Sequence, residues 1–247
     1  MCAEFKGRKE ALLNKWIFIL SEMKGDIIFL QEMHLFNIER VAEELGLKIL
    51  TIDQFDGTSV LINTHKLTIL ENNVVKIKNS RKEPIYLGGL HLDDIPSVTH
   101  HLHHKIYKSS ENIPLHTSFA EILKLSNERR VPRLKQELLR AKPYRRAIIA
   151  GDFNEPSHFD LDNVNVPVSK LFEKSGFLDS FWESNKNEKK ENGHTWPASK
   201  MYKDEPGQRI DMIYTKNIKV LRSRIYDGTH SLTWISDHKM VISDVEV

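Results

Sequence analysis

The stretch AIIAGDFNEPSH, residues 147–158, joins an apolar run to a cluster of residues able to do chemistry. Ala147 to Ala150 read as a buried strand that ends at Gly151, a residue that lets the backbone turn or lie close to another group. Asp152 and Asn154 follow two apart, a spacing that in extended chain puts both side chains on one side. The alternative is an Asx-turn closing the strand. Four other strand-like runs end in a similar way. DIIFLQEMH delivers Glu32 (with Gln31 and His34), YLGGLHLDD delivers His91, GQRIDMIYT delivers Asp211, and WISDHKMV delivers Asp237 and His238. Taken singly, each has a plainer reading. Glu32 could be a solvated strand end, His91 a core histidine, Asp211 a partner for Arg209, and Asp237 a turn residue. Together they form an oxygen-rich set with two imidazoles, which suits magnesium or manganese better than zinc.

The elements that must position these residues can be read from periodicity and punctuation. Residues 8–24 carry a helical apolar face at Leu12, Leu13, Trp16, Ile17 and Leu20, with Gly25 as the expected stop. Residues 27–30 read as a strand, and Asn37 caps a second helix closed by Gly46. Residues 47–52, 58–63, 67–77 and 85–91 read as strands, with turn residues at Asp56, Gly57, Asn72 and Asn73. A polar loop without period follows His91. Next comes a long helix over 118–142, which Pro132 is expected to kink or split. The strand at 146–151 leads to a short helix near 168–175, a charged loop NKNEKKEN, and strands at 209–215, 218–226 and 240–245. There is no internal repeat and no Pro/Gly/Ser linker, so 1–247 is expected to be one domain of α/β class with helix-covered sheets.

Composition sets the outer limits. The chain has 247 residues, 40% of them hydrophobic, which is enough for a sizeable core. A formal charge of +2 permits a phosphate-bearing substrate without the basic footprint of a nucleic-acid binder. Cys2 is the single cysteine, so neither an internal disulfide nor a thiolate zinc site can form. No apolar run reaches the roughly 18 residues of a membrane span. The start is charged and helix-like, unlike a signal peptide. A soluble, cytoplasmic, monomeric protein is the expectation.

Glu32 in FLQE, His91 in LHLDD, Asp152 and Asn154 in GDFN, Asp211 in RIDMIY, and Asp237 and His238 in SDH occur in this order across residues 26–245. The set resembles the endonuclease/exonuclease/phosphatase superfamily of DNase-like metal-dependent phosphoesterases. The resemblance implies a four-layer α/β sandwich: two packed, mostly antiparallel sheets flanked by helices, with the site at one end. It implies Glu32 as principal magnesium ligand and Asp237 as a second carboxylate on the metal side. Asp152 would position or deprotonate the attacking water, and Asn154 would hold that water or a phosphate oxygen. His238, held by Asp211, would contact the scissile phosphate, and His91 would stabilise charge or protonate the leaving group. His194 and Trp196 in HTWPASK fall where related enzymes carry a substrate-side turn. The substrate would be a phosphorylated small molecule, a phospholipid headgroup or a nucleic acid, the last making the protein a nuclease.

Family members begin with a core strand ending in a metal-side Asn, and nothing before Arg8 has that pattern. The reading is therefore of a truncated or alternatively started form, with a catalytically weakened binding protein as a further alternative. Three other features are weighed. His100 to His104 could hold zinc on a helix but lack an acidic partner and read better as a substrate-side loop. Arg129, Arg130 and Arg133 read as a solvated helix face. Asp93 and Asp94 either orient His91 or begin the loop after it.

Overall fold

The computed structural model describes residues 2–33, 37–53, 57–94, 118–161, 164–186, 193–198, 207–226 and 236–247, with side chains from residue 10 onward. His34, His100 to His104 and Trp234 lie outside these ranges. The elements in order are α1 (Cys2–Met23), β1 (Ile27–Leu30), α2 (Ile38–Glu44), β2 (Lys48–Ile52), β3 (Ser59–Ile62), β4 (Leu67–Glu71), β5 (Val74–Ile77), β6 (Ile85–His91), α3 (Phe119–Ala141), β7 (Arg146–Asp152), α4 (Pro167–Lys174), β8 (Leu178–Asp179), α5 (Ser180–Asn185), β9 (Asp211–Lys216), β10 (Lys219–Tyr226) and β11 (Met240–Glu246).

Six strands form the main sheet in the order β4-β5-β6-β7-β9-β8, while β1-β3-β2 and β10-β11 form two smaller sheets. All of these strand pairs are antiparallel except β6 with β7. Period-two alternation divides the main sheet between two cores. Ile85, Leu87 and Ile148 cluster with Val60 and Ile62 of β3, and Ile27, Phe29 and Val245 pack alongside, so this core lies between the sheets. Tyr86, Leu90, Ala147 and Ile149 face the other way, onto Leu134 of α3 and Val168 and Phe172 of α4. A third cluster packs Leu13, Ile17 and Leu20 of α1 and Val41 of α2 against Leu30 and Leu61. The layers run helix, sheet, sheet, helix, as the sequence resemblance implies.

Several local readings change. The first helix starts before residue 8, and Lys24, at φ 52°, takes the left-handed position expected of Gly25. Residues 67–77 divide into a hairpin at the turn residues Asn72 and Asn73, with Asn73 at φ 62°. Pro132 neither splits nor ends α3, which runs as one helix from a capping box of Ser118 and Glu121. The short β8 and α5 carry too little periodicity to be read from sequence. Among the described residues β1 pairs only with β3, and β11 only with β10.

Candidate active site

Three adjacent strands of the main sheet end together. The register sets His91 of β6 opposite Asp152 of β7, and Asp152 opposite Asp211 of β9. Directly opposed residues project from the same face. Asp152 has the parity of Ile148, and His91 that of Ile85 and Leu87, so the row lies on the face turned toward the smaller sheets. Those sheets supply the rest: Glu32 lies just beyond the end of β1, and His238 just before the start of β11.

The resulting distances define a chain of contacts. His238 Nδ1 lies 2.9 Å from Asp211 Oδ2, which leaves its Nε2 to face Asp152 Oδ2 at 4.0 Å. His91 Nε2 is 3.8 Å from Asp152 Oδ2 and 3.8 Å from Glu32 Oε1. The buried Asp152 carboxylate thus sits between two imidazoles. Burial, then the charge of Asp211, raises its pKa to about 7. For His238 burial works downward, but the charge and hydrogen bond of Asp211, helped by Asp152 and Asp237, outweigh it and lift the imidazole to about 10. A base titrating near neutrality beside a charged imidazole can deprotonate water and stabilise a developing anion.

Backbone strain marks two of these positions. Glu32 has φ 57° and Asn154 φ 50°, in the left-handed region that side chains other than glycine seldom adopt. Met33 N–H donates to the Gly57 carbonyl at 2.9 Å, which ties the turn carrying Glu32 to the start of β3. Asn154 does not extend alongside Asp152 as an uninterrupted strand would require. Its N–H donates to Asp152 Oδ1 at 2.8 Å and its Nδ2 to the Leu92 carbonyl at 2.9 Å, so the Asx-turn and the site are one structure. Gly151 is needed here because a Cβ on it would fall 1.7 Å from the Leu90 carbonyl oxygen.

Asp211 is not the partner of Arg209. Buried Arg209 forms a two-pronged contact with Asp179 at 3.0 and 2.8 Å and another with Asp160 at 3.0 Å, so Asp211 is left to His238. Of the three arginines, Arg130 departs from the solvated helix face, while Arg129 and Arg133 stay half-exposed. Arg130 is fully buried, 3.6 Å from Glu155, and its Nε donates to the Asp93 carbonyl at 3.0 Å. Arg129 holds the Asp93 carboxylate at 2.8 Å. Glu155 in turn accepts from Ser126 Oγ and from Val168 N–H. The buried Arg130–Glu155 pair and the half-exposed Arg129–Asp93 pair brace the loops after His91 and Asp152, and no sequence pattern separates the buried charges from exposed ones. Asp237 sits in the turn beside His238, and its carbonyl accepts from Ala198 N–H at 2.6 Å. His194 and Trp196 lie on residues 193–198, which bridge to Gln208 ahead of Asp211.

Among the described residues, one group has ligand atoms close enough to share a cation: Asp152, Asp211 and His238, all within 4.8 Å of one another. Asp211 and His238 are bonded to each other, and Asp152 and Glu32 lie on either side of His91.

Comparison with known proteins agrees with the fold. The profile of the Endonuclease/Exonuclease/phosphatase family matches residues 10–238. The chain belongs to that family. Family members are generally hydrolases of phosphoester bonds and typically use a divalent metal. Solved structures with this fold include TDP2 of D. rerio humanized by 14 mutations, with a TM-score of 0.64 at 15% identity over 96% of this chain and 91% of that one. A mannosyl-6-phosphatase of Bacteroides thetaiotaomicron gives 0.62 at 17% identity, over 95% and 92% of the two chains. D. rerio TDP2 complexed with a single-strand DNA product gives 0.58 at 16%, over 96% and 92%. At such identities the likeness is one of fold. No curated protein matches the chain. Among the described residues no helix is long and apolar enough to cross a membrane.

Proposed function

We propose that this family member is a magnesium-dependent phosphoesterase that hydrolyses a phosphate mono- or diester by attack of water. The observation that supports the reading is the row His91–Asp152–Asp211 across three strand ends, with His238 bonded to Asp211 and turned toward Asp152. Glu32 and Asp237 are the proposed ligands, for magnesium or alternatively manganese. A cation held there would neutralise phosphate oxygens and stabilise the leaving oxygen.

The chain's own residues do the rest. Asp152, with its pKa near 7, takes the proton of the attacking water. Asn154, fixed by its bond to Leu92, holds that water or a phosphate oxygen. Asp211 accepts from His238 Nδ1, which orients the charged ring and leaves its Nε2–H for the phosphate. His91 stabilises charge or protonates the leaving oxygen, and His194 and Trp196 meet the substrate. The net charge of +2 favours a phosphorylated small molecule or phospholipid headgroup over a nucleic acid, whose binding rests on many Lys/Arg contacts. Nuclease activity is the second reading, and the similar fold of the DNA-bound TDP2 favours it.

A panel of sugar phosphates, a generic phosphodiester, a phospholipid and single-strand and abasic duplex DNA, each with magnesium or EDTA, tests the proposal. Magnesium-dependent turnover is expected, and the preferred substrate separates phosphatase from nuclease. His238→Ala and Asp211→Asn should each lose at least about 10²-fold in kcat. Near-normal turnover in either folded variant removes the dyad from the mechanism. Magnesium binding without hydrolysis of any ester would favour a binding protein.

A further inference from the structure

The two halves of the Asp211–His238 pair come from segments far apart in sequence, and residues 193–198 touch both. Thr195 is fully buried. Its Oγ1 accepts from the main-chain N–H groups of Ile210 and Asp211, each at 3.1 Å. Its N–H donates to the Gln208 carbonyl at 2.8 Å, and its carbonyl accepts from Lys239 N–H at 2.7 Å. Ala198 N–H meets the Asp237 carbonyl. One residue therefore bonds to the backbone of Asp211 itself and to the residue next to His238.

We propose that Thr195 is a positioning residue for the pair: its hydroxyl sets the backbone of Asp211 at the start of β9 while its carbonyl sets the turn carrying His238. The side-chain oxygen supplies the acceptor that two buried N–H groups need, so a residue of the same shape without that oxygen leaves both unsatisfied. The backbone at 210–211 then moves to find other partners, and Asp211 moves with it. Reacting groups displaced by about 1 Å commonly lose about 10²-fold in rate. The same segment carries His194 and Trp196, so the proposed substrate side and the pair are set by one stretch of chain.

The consequence for rate rests on the phosphoesterase reading, whereas the positioning does not, and the experiment separates them. Thr195→Val, which keeps shape and loses the acceptor, is compared with Thr195→Ser, which keeps it. The first readout is the exchange-protected imidazole N–H resonance of His238 in proton NMR, assigned by its absence in His238→Ala. It should persist in Thr195→Ser and shift or vanish in Thr195→Val. The second readout is kinetic: Thr195→Val should lower kcat by about 10²-fold with little change in KM, Thr195→Ser should restore it, and Thr195→Val should cost nothing further in the His238→Ala background. If Thr195→Val does not fold, Thr195→Ala serves the same comparison. An unchanged imidazole resonance in the folded variant, or an equal loss of rate in both backgrounds, overturns the proposal. The expected change in resonance, in a protein that hydrolyses no ester, upholds the positioning and removes the phosphoesterase reading instead.

Discussion

Asp152 and His238 face each other with opposite leanings toward pH. The folded pKa of Asp152, about 7, stands above the unfolded value of about 3.9. Its protonated form is favoured in the fold, so its contribution to stability is full below about 3.9 and is lost as pH rises through about 7. His238 is raised to about 10 from an unfolded value of about 6.5, so its contribution is full below about 6.5 and is lost as pH rises through about 10. The proposed mechanism needs Asp152 ionised and His238 charged, the state found between the two folded values. An NMR titration without metal should therefore show a carboxyl group titrating near pH 7. Magnesium should lower that step by at least about one pH unit, as an opposing charge within a few ångströms does. A carboxyl that titrates near 4 with and without magnesium would contradict both the burial argument and the proposed cation.

At the scale of elements, the site depends on three strands stopping level with one another. Gly151 allows this by letting β7 lie against Leu90 of β6 just before Asp152. Gly151→Ala should destabilise the fold by about 3 kcal/mol, the upper end of ordinary single substitutions, and misplace Asp152. Urea unfolding of the variant measures the first effect, and an unchanged midpoint would mean that the strand ends adjust freely. Much of this level is legible in the sequence. β6 and β7 carry dense apolar runs with turn signals beyond them, and their ends name His91 and Asp152 in advance. The pairing of Asp211 is less accessible, because Arg209 two residues earlier offers a nearer partner and only the fold sends that arginine to Asp179 and Asp160. Arg130 escapes for a related reason: a charged helix face looks the same whether it meets water or a buried Glu155. Thr195 gives no chemical signal beyond its place in HTWPASK, since its importance lies in main-chain groups that every residue possesses.

The whole molecule is four layers with its candidate site at one end, where the main sheet and the two smaller sheets all contribute. The resemblance drawn from ordered short motifs foresees that arrangement because each motif terminates an element, and strand ends are set by topology. The substrate is less legible, since the segments that would meet it lie in loops, which tolerate change more than strands do. The parallel pairing of β6 with β7 has a further effect, on how the molecule reaches its native state. Antiparallel neighbours such as β4 and β5 close through a short turn, but His91 meets Asp152 only after residues 92–151, with all of α3, have been looped out. Closing so long a loop costs entropy before any contact repays it, and such pairings form slowly. In pulse-labelled hydrogen exchange during refolding, the amides of the β4–β5 hairpin should gain protection before Leu92 N–H, which bonds to the Asp152 carbonyl at 2.9 Å. Simultaneous protection would show that the crossover forms with the hairpin. The expected order makes the candidate site among the last parts of the chain to assemble, so a nascent chain forms its β4–β5 hairpin before the proposed catalytic residues meet.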